Sequence, residues 1–175
     1  NYVSMFRRVV DRIRAKADNV VFVMNYMGYR SHKNRIPLLY PGDAWVDWIA
    51  WDPYAHTGDS TFADLVTDPE SGWAGFYEWA TATHPTKPLM LGEWGVDFND
   101  QNDSYWASLM NTVVSTAQSD YPNLKALVYW NQALPSLPDP TDYRLTVAGR
   151  TLTQNAYRTV ANSDYFNAVS TNDAP

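Results

Sequence analysis

The stretch "PLMLGEWG", Pro88 to Gly95, decides how the rest of the sequence is read. Leu89, Met90 and Leu91 make an apolar run too short for an amphipathic helix and bounded by Pro88 and Gly92, the pattern of a buried strand. The run ends on a carboxylate, Glu93, with Gly92 before it and Trp94 and Gly95 after it. A charge at the end of a buried strand belongs where parallel α/β sheets meet their ligands, at the carboxyl ends of the strands.

Working outward, the same order of elements repeats. Val3, Phe6, Val9, Val10, Ile13 and Ala17 recur at helical spacing, and "NVVFVMN", Asn19 to Asn25, follows as a strand. "AWVDWIAWDPY", Ala44 to Tyr54, is a second strand, and Trp73, Phe76, Tyr77 and Ala80 mark a helix ending near His84 and Pro85. After "PLMLGEWG", Asp103 or Ser104 caps one helix carrying Trp106, Leu109, Met110, Val113, Val114 and Ala117. "LKALVYWNQ", Leu124 to Gln132, is the fourth strand, and a last helix runs from about Thr153 to Asn162. Strands alternating with helices imply parallel pairing through right-handed crossovers. Between Tyr26 and Asp43 no helical period exists, so a long loop with at most a short helix is expected there.

Alternation along the strands predicts which side chains meet. Leu89, Leu91 and Glu93 would share one face, as would Ala50, Asp52 and Tyr54, and Ala126, Val128 and Trp130. Tyr54, Glu93 and Trp130 then converge on one space. A carboxylate, a phenol and an indole suit a sugar, whose apolar face stacks on tryptophan while its hydroxyls take amide and carboxylate partners such as Asp52, Asn25 and Asn131. Tyr26, near the end of the first strand, is a second stacking candidate, and His56, just beyond Tyr54, is placed to touch substrate.

Composition bounds the partners. The 175 residues carry a net charge of -6, which excludes a nucleic-acid partner that would need a basic face. With 15% aromatic residues, 8 Trp and 12 Tyr among them, the chain holds more ring surface than a core this size uses, so part of it lines a binding surface. There is no cysteine, hence no thiol nucleophile and no thiolate metal site. No run approaches the ~18 apolar residues of a membrane span. His32, His56 and His84 lack metal-ligand spacing and read as surface-loop residues, and the acidic loop "DFNDQNDS", Asp97 to Ser104, lacks the glycine and terminal glutamate of an EF-hand. Neither metal nor cofactor is expected.

"YPGDAWVDWIAWDPY", "KPLMLGEWG" and "LKALVYWNQ" together resemble the second half of the catalytic domain of glycoside hydrolase family 26, the β-mannanase family, over about residues 1–166. The resemblance implies an α/β chain of (β/α)8 type contributing strands 5 to 8, with residues 167–175 a tail or linker. It also implies a secreted, retaining endo-glycosidase acting on a β-linked polysaccharide, most simply β-mannan. By motif, Glu93 matches the nucleophile, Tyr54 the tyrosine that hydrogen-bonds it, and Trp130 the floor of the cleavage subsite. The family's acid/base glutamate follows a histidine, and no His-Glu pair occurs in the sequence. A parallel half-sheet leaves open edges, so either another segment, the missing N-terminal half, supplies the first four strands or the chain pairs with itself. The alternative is a non-catalytic carbohydrate-binding protein on the same scaffold.

Overall fold

The computed structural model describes residues 1–136 and 138–167. All but the first residue of the expected tail, 167–175, lies outside the described residues. The chain begins with α1 (Tyr2–Arg14), whose first turn is capped by the Asn1 side chain accepting from Ser4 N. Strand β1 (Val23–Met27) is followed by the expected irregular segment, which holds a 3-10 turn at Arg30–His32, the single-turn α2 (Ile36–Leu39) and a second 3-10 turn at Asp43–Trp45. Next come β2 (Trp48–Asp52) and β3 (Tyr54–Ala55), interrupted at Pro53, then α3 (Phe62–Thr67) and α4 (Phe76–Thr83). Strand β4 (Leu89–Val96) precedes α5 (Asp103–Met110) and α6 (Val113–Ser119). Strand β5 (Leu124–Tyr129), a short hairpin of β6 (Ala133–Leu134) and β7 (Thr141–Asp142), and α7 (Thr151–Ala161) complete the order.

The main sheet runs β1-β2-β4-β5, all parallel, with β3 continuing the line of β2 and pairing with the end of β4. Pro53 lacks the N–H a ladder needs, which explains why the second expected strand is broken there. Helix α3 escaped the sequence reading because its apolar face is only Phe62, Leu65 and Val66; a capping box between Thr61 and Asp64 starts it. The single helix expected after "PLMLGEWG" is two, split at Asn111–Thr112. Its N-cap is Asn102, which accepts from Tyr105 N, not Asp103 or Ser104. Asp103 instead receives Leu152 N and Thr153 N, capping α7 from the neighbouring helix.

The core lies between the sheet and the helices. Met24, Ile49, Trp51, Leu89 and Leu91 are buried there with Phe76, Leu109 and Val113, and Trp51 stacks on Phe76 with ring centroids 5.1 Å apart. The other face of the sheet is covered only in the middle. Ala50 is buried, but Val23, Met27 and Val128 on the two outer strands are exposed at 36%, 57% and 48%. An all-parallel sheet normally has both faces covered, and the described residues leave this apolar face open. No helix among the described residues is long and apolar enough to cross a membrane.

Candidate active site

Strict alternation fails at the residue that matters most. Leu89 and Leu91 point into the helical core, not into the mouth of the sheet as the parity argument had it. Glu93 escapes that face because β4 carries an extra residue. It advances three residues from Leu91 to Trp94 while β5 advances two, Leu127 to Tyr129, and four from Leu91 to Gly95 while the β2–β3 line advances three, Trp51 to Tyr54. Such a bulge bends the strand and re-aims a side chain. Trp94 returns to the core, wholly buried against Phe62 and Tyr129, and Glu93 is left at the sheet's carboxyl end.

There the Tyr54 hydroxyl donates to Glu93 Oε2 at 2.5 Å. Burial, and then the hydrogen bond to Glu93, raise the Tyr54 phenol well above its ordinary value, so it remains a donor at any physiological pH. On the neighbouring strand ends, Asn25 Nδ2 donates to Asp52 Oδ2 at 2.8 Å. Both side chains pack over Gly92: a Cβ there would fall 2.3 Å from Asn25 Oδ1 and 3.0 Å from Asp52 Oδ1. The glycine before the nucleophile candidate is thus the space these two polar groups occupy.

Asp52 Oδ1 is buried without a hydrogen-bond partner among the described residues. Burial, reinforced by the nearby Glu93 charge and opposed by the Asn25 hydrogen bond, pushes the Asp52 carboxyl up to about 6. A folded-state value above the ordinary 3.8 means that the charged form costs stability, a cost present above pH 6 and relieved as pH falls toward 4. Asp52→Asn should therefore raise stability at pH 7.5 by about 1 kcal/mol, discounted for partial solvent access, with no gain below pH ~4. Urea denaturation at the two pH values measures this, and an equal effect at both would refute it.

The other expected site residues divide. Tyr26 does not belong to the site. Strand β1 buries alternate residues, so Tyr26 is 4% exposed and packs edge-on against Trp79 at 5.9 Å, where no sugar can stack on it. Trp130 follows β5 directly, its backbone N–H donating to the Trp94 carbonyl at 2.8 Å, and the residue is half-buried. Asn131 Oδ1 accepts from Leu145 N at 2.7 Å, which makes it a tie for the segment after the hairpin. His56 is exposed and, with Asp52, Tyr54, Tyr29 and Asp59, lines a cavity of about 140 Å³ that runs from the Tyr54 side chain toward Asp64 and Leu65 of α3 and that Glu93 does not line. His84 is no free surface-loop residue: it stacks on Tyr40 at 3.9 Å and meets Asp43 at 2.8 Å.

Sequence spacing missed two features. His56, Asp97 and Asp100 bring potential ligand atoms within 4.8 Å of one another, a cluster assembled from two loops. Tyr143, on the segment after β7, packs its ring 4.7 Å from that of Tyr54. Two carboxylates at the ends of adjacent parallel strands, a phenol donating to one of them and a cavity alongside form the mouth of a strand-end site.

Solved structures share this arrangement of elements. The chain resembles a modular endo-β-1,4-mannanase of glycoside hydrolase family 26 from Cellulomonas fimi, with a TM-score of 0.62 at 19% identity over 97% of this chain and 37% of that one. It also resembles the catalytic domain of a family 26 endo-β-1,4-mannanase from Bacillus sp. JAMB-750, TM-score 0.61 at 16% identity, covering 97% of this chain and 46% of that one.

The fold is part of a (β/α)8 barrel.

A family 26 β-mannanase from Bacteroides ovatus gives the same result, TM-score 0.58 at 19% identity, over 94% of this chain and 43% of that one. The chain thus spans less than half the length of these matched chains. No family model and no curated protein matches the sequence. In a closed barrel the open face bearing Val23, Met27 and Val128 is interior, which accounts for apolar side chains left uncovered by four strands.

Proposed function

We propose that this chain carries the nucleophile half of a retaining endo-glycosidase of the family 26 type, acting on a β-linked polysaccharide and most simply on β-mannan. The observation that carries the reading is the 2.5 Å hydrogen bond from Tyr54 to Glu93 at a bulged strand end. In the reaction a Glu93 oxygen attacks the anomeric carbon as the bond to the leaving oxygen breaks, forming a covalent glycosyl-enzyme. Tyr54 holds one carboxylate oxygen by donation, so the other is aimed at the sugar. Asp52, Asn25 and His56 take sugar hydroxyls, and Trp130 offers a stacking face.

Retention also needs an acid to protonate the leaving oxygen and later to activate water, from a second carboxyl about 5 to 5.5 Å from the nucleophile. Neither other glutamate suits the role. Glu70 lies in a loop and pairs with Lys33 at 2.7 Å, and Glu78 sits in the first turn of α4. We assign the acid to the N-terminal half of the barrel, the partner that would cover the open face. Localisation outside the cell follows from this reading, since polysaccharide is the substrate.

The test is to treat the complete protein with a 2-deoxy-2-fluoro-glycoside bearing a good leaving group and to locate the adduct by mass spectrometry. One glycosyl unit on the peptide carrying Glu93 supports the assignment; an adduct elsewhere, or none with turnover intact, rejects it. Residues 1–175 purified alone should release no reducing sugar from β-mannan. Hydrolysis by that fragment, lost on Glu93→Gln, would place the acid within this chain, with Asp52 the group to examine.

A further inference from the structure

After β5 the chain doubles back through the β6–β7 hairpin and lays Tyr143 across the end of β4. Tyr143 is 5% exposed, so it cannot contact a substrate. One side of it meets the backbone of Gly95, where a Cβ would fall 3.0 Å from ring atom Cδ1 and 3.2 Å from Cγ; any side chain at position 95 would displace the ring. Its other neighbour is Tyr54, the rings tilted by 43° with centroids 4.7 Å apart. Tyr54 is in turn the register partner of Gly95.

The segment carrying Tyr143 is fastened on both sides. Tyr143 N donates to Gln132 O at 2.9 Å, and Asp142 N donates to Asp97 Oδ1 at 2.9 Å. The Asp142 carboxylate is held by Arg144 at 2.9 Å and by Arg150 at 2.8 Å. These two guanidiniums, Arg144 first, hold Asp142 well below the usual carboxylate range, so the clamp stays charged.

We propose that Tyr143 is a positioning residue for the Glu93 carboxylate, acting through Tyr54; its catalytic consequence rests on the glycosidase reading above. A tyrosine hydroxyl lies at the end of a long lever, and a small change at Cβ moves it by more than a hydrogen bond tolerates. Tyr143 is the wall that limits this swing, and Gly95 is the gap that admits the wall. The hairpin thus acts on the site through the buried Tyr143 that follows it.

The experiment uses the complete protein with Tyr143→Phe, Tyr143→Leu and Tyr143→Ala, each also in a Tyr54→Phe background, assayed on β-mannan. Tyr143→Phe keeps the wall and should stay within about twofold of wild type, whereas Tyr143→Ala should lower kcat by ~10- to 100-fold with little change in KM, the cost of a misplacement near 1 Å. Leucine, which preserves apolar bulk without the flat ring, should fall between them, and it serves if the alanine variant does not fold. With Tyr54→Phe present, the alanine change should add less than about threefold, because the group it positions is gone. Losses that multiply fully across the two sites would overturn the proposal.

A second readout does not depend on activity. In protein labelled with 13Cζ-tyrosine, the Tyr54 resonance should titrate well above the ordinary tyrosine range in wild type, held there first by burial and then by its bond to Glu93, and should move down toward 10.0 in Tyr143→Ala, where the wall is gone and the hydroxyl has left Glu93. An unchanged Tyr54 titration in that variant overturns the proposal even if the protein proves to be no glycosidase. A shifted Tyr54 titration in Tyr143→Ala, together with full activity of a separate Glu93→Ala variant, would keep the positioning role and refute the nucleophile reading of Glu93 alone.

Discussion

Glu93→Ala in the complete protein is expected to lower kcat on β-mannan by on the order of 10⁴-fold or more while leaving the folded structure unchanged, since the variant removes the group that forms the covalent bond. The side chain is at a strand end and half-buried, so its loss opens little cavity and the denaturation midpoint should move slightly. Azide supplies the informative half of the result. With an aryl glycoside whose leaving group needs no protonation, the anion enters the space the carboxylate vacated and displaces the leaving group in one step. The product should be a glycosyl azide of inverted configuration, formed at a rate that rises with azide concentration. Rescue with retained configuration, or wild-type turnover without azide, would remove Glu93 from the nucleophile role. Tyr54→Phe should give a smaller loss, because the carboxylate survives and only its orientation is relaxed.

Trp94→Ala should have the largest effect on stability, about 3 to 5 kcal/mol. The indole is wholly buried, meeting Phe62 of α3 edge-on at 5.8 Å and Tyr129 of β5 at 5.2 Å. It therefore ties the bulged strand both to the helical layer and to the neighbouring strand. Its Nε1–H has no hydrogen-bond partner among the described residues, so the mutation forfeits packing and no polar bond. That buried unpaired donor sets the estimate toward the lower end, since removing it returns part of the loss. Against a total stability of about 5 to 15 kcal/mol for a typical domain, this is a large fraction. Trp94→Phe, which keeps an aromatic ring and discards the unpaired donor, should cost less than half as much. Urea denaturation of the complete protein, monitored by circular dichroism, measures both; equal losses for the two variants would mean that the packing argument is wrong. Activity should fall with stability in Trp94→Ala, because the bulge that aims Glu93 has Trp94 as its anchor on the core side.

The contrast between Glu93 and its neighbours shows where sequence reasoning reaches its limit. The apolar runs in Asn19–Asn25, Ala44–Tyr54, Pro88–Gly95 and Leu124–Gln132 identified four strands, observed at Val23–Met27, Trp48–Asp52, Leu89–Val96 and Leu124–Tyr129, and their alternation with helical periods required parallel pairing. That placed Glu93 at a carboxyl end, and with Tyr54 it formed the pair the structure joins. Period-2 alternation then gave the wrong reason. It put Glu93 in the mouth along with Leu89 and Leu91, whereas the leucines are core and only the extra residue in β4 brings the carboxylate round. A bulge is set by pairing with two other strands, and no local pattern announces it. Tyr26 fails for a related reason: an aromatic residue near a strand end looks the same on either face, and its face follows from which side of β1 the helices cover.

What the sequence by itself determined was the class of the fold and the strand that ends in a carboxylate, because these depend on hydrophobic periodicity and on residue chemistry carried within short segments; the pairing of Tyr54 with Glu93 was what the family resemblance implied. What only the tertiary structure decided was the face each side chain takes at the bulge, the packing of Asn25 and Asp52 over Gly92, and the wall that Tyr143 builds against Tyr54. Those contacts join residues 27 to 89 positions apart in the chain, from Asn25 with Asp52 to Tyr54 with Tyr143, and their geometry is set by backbone register and by space. Neither quantity is a property of any one segment.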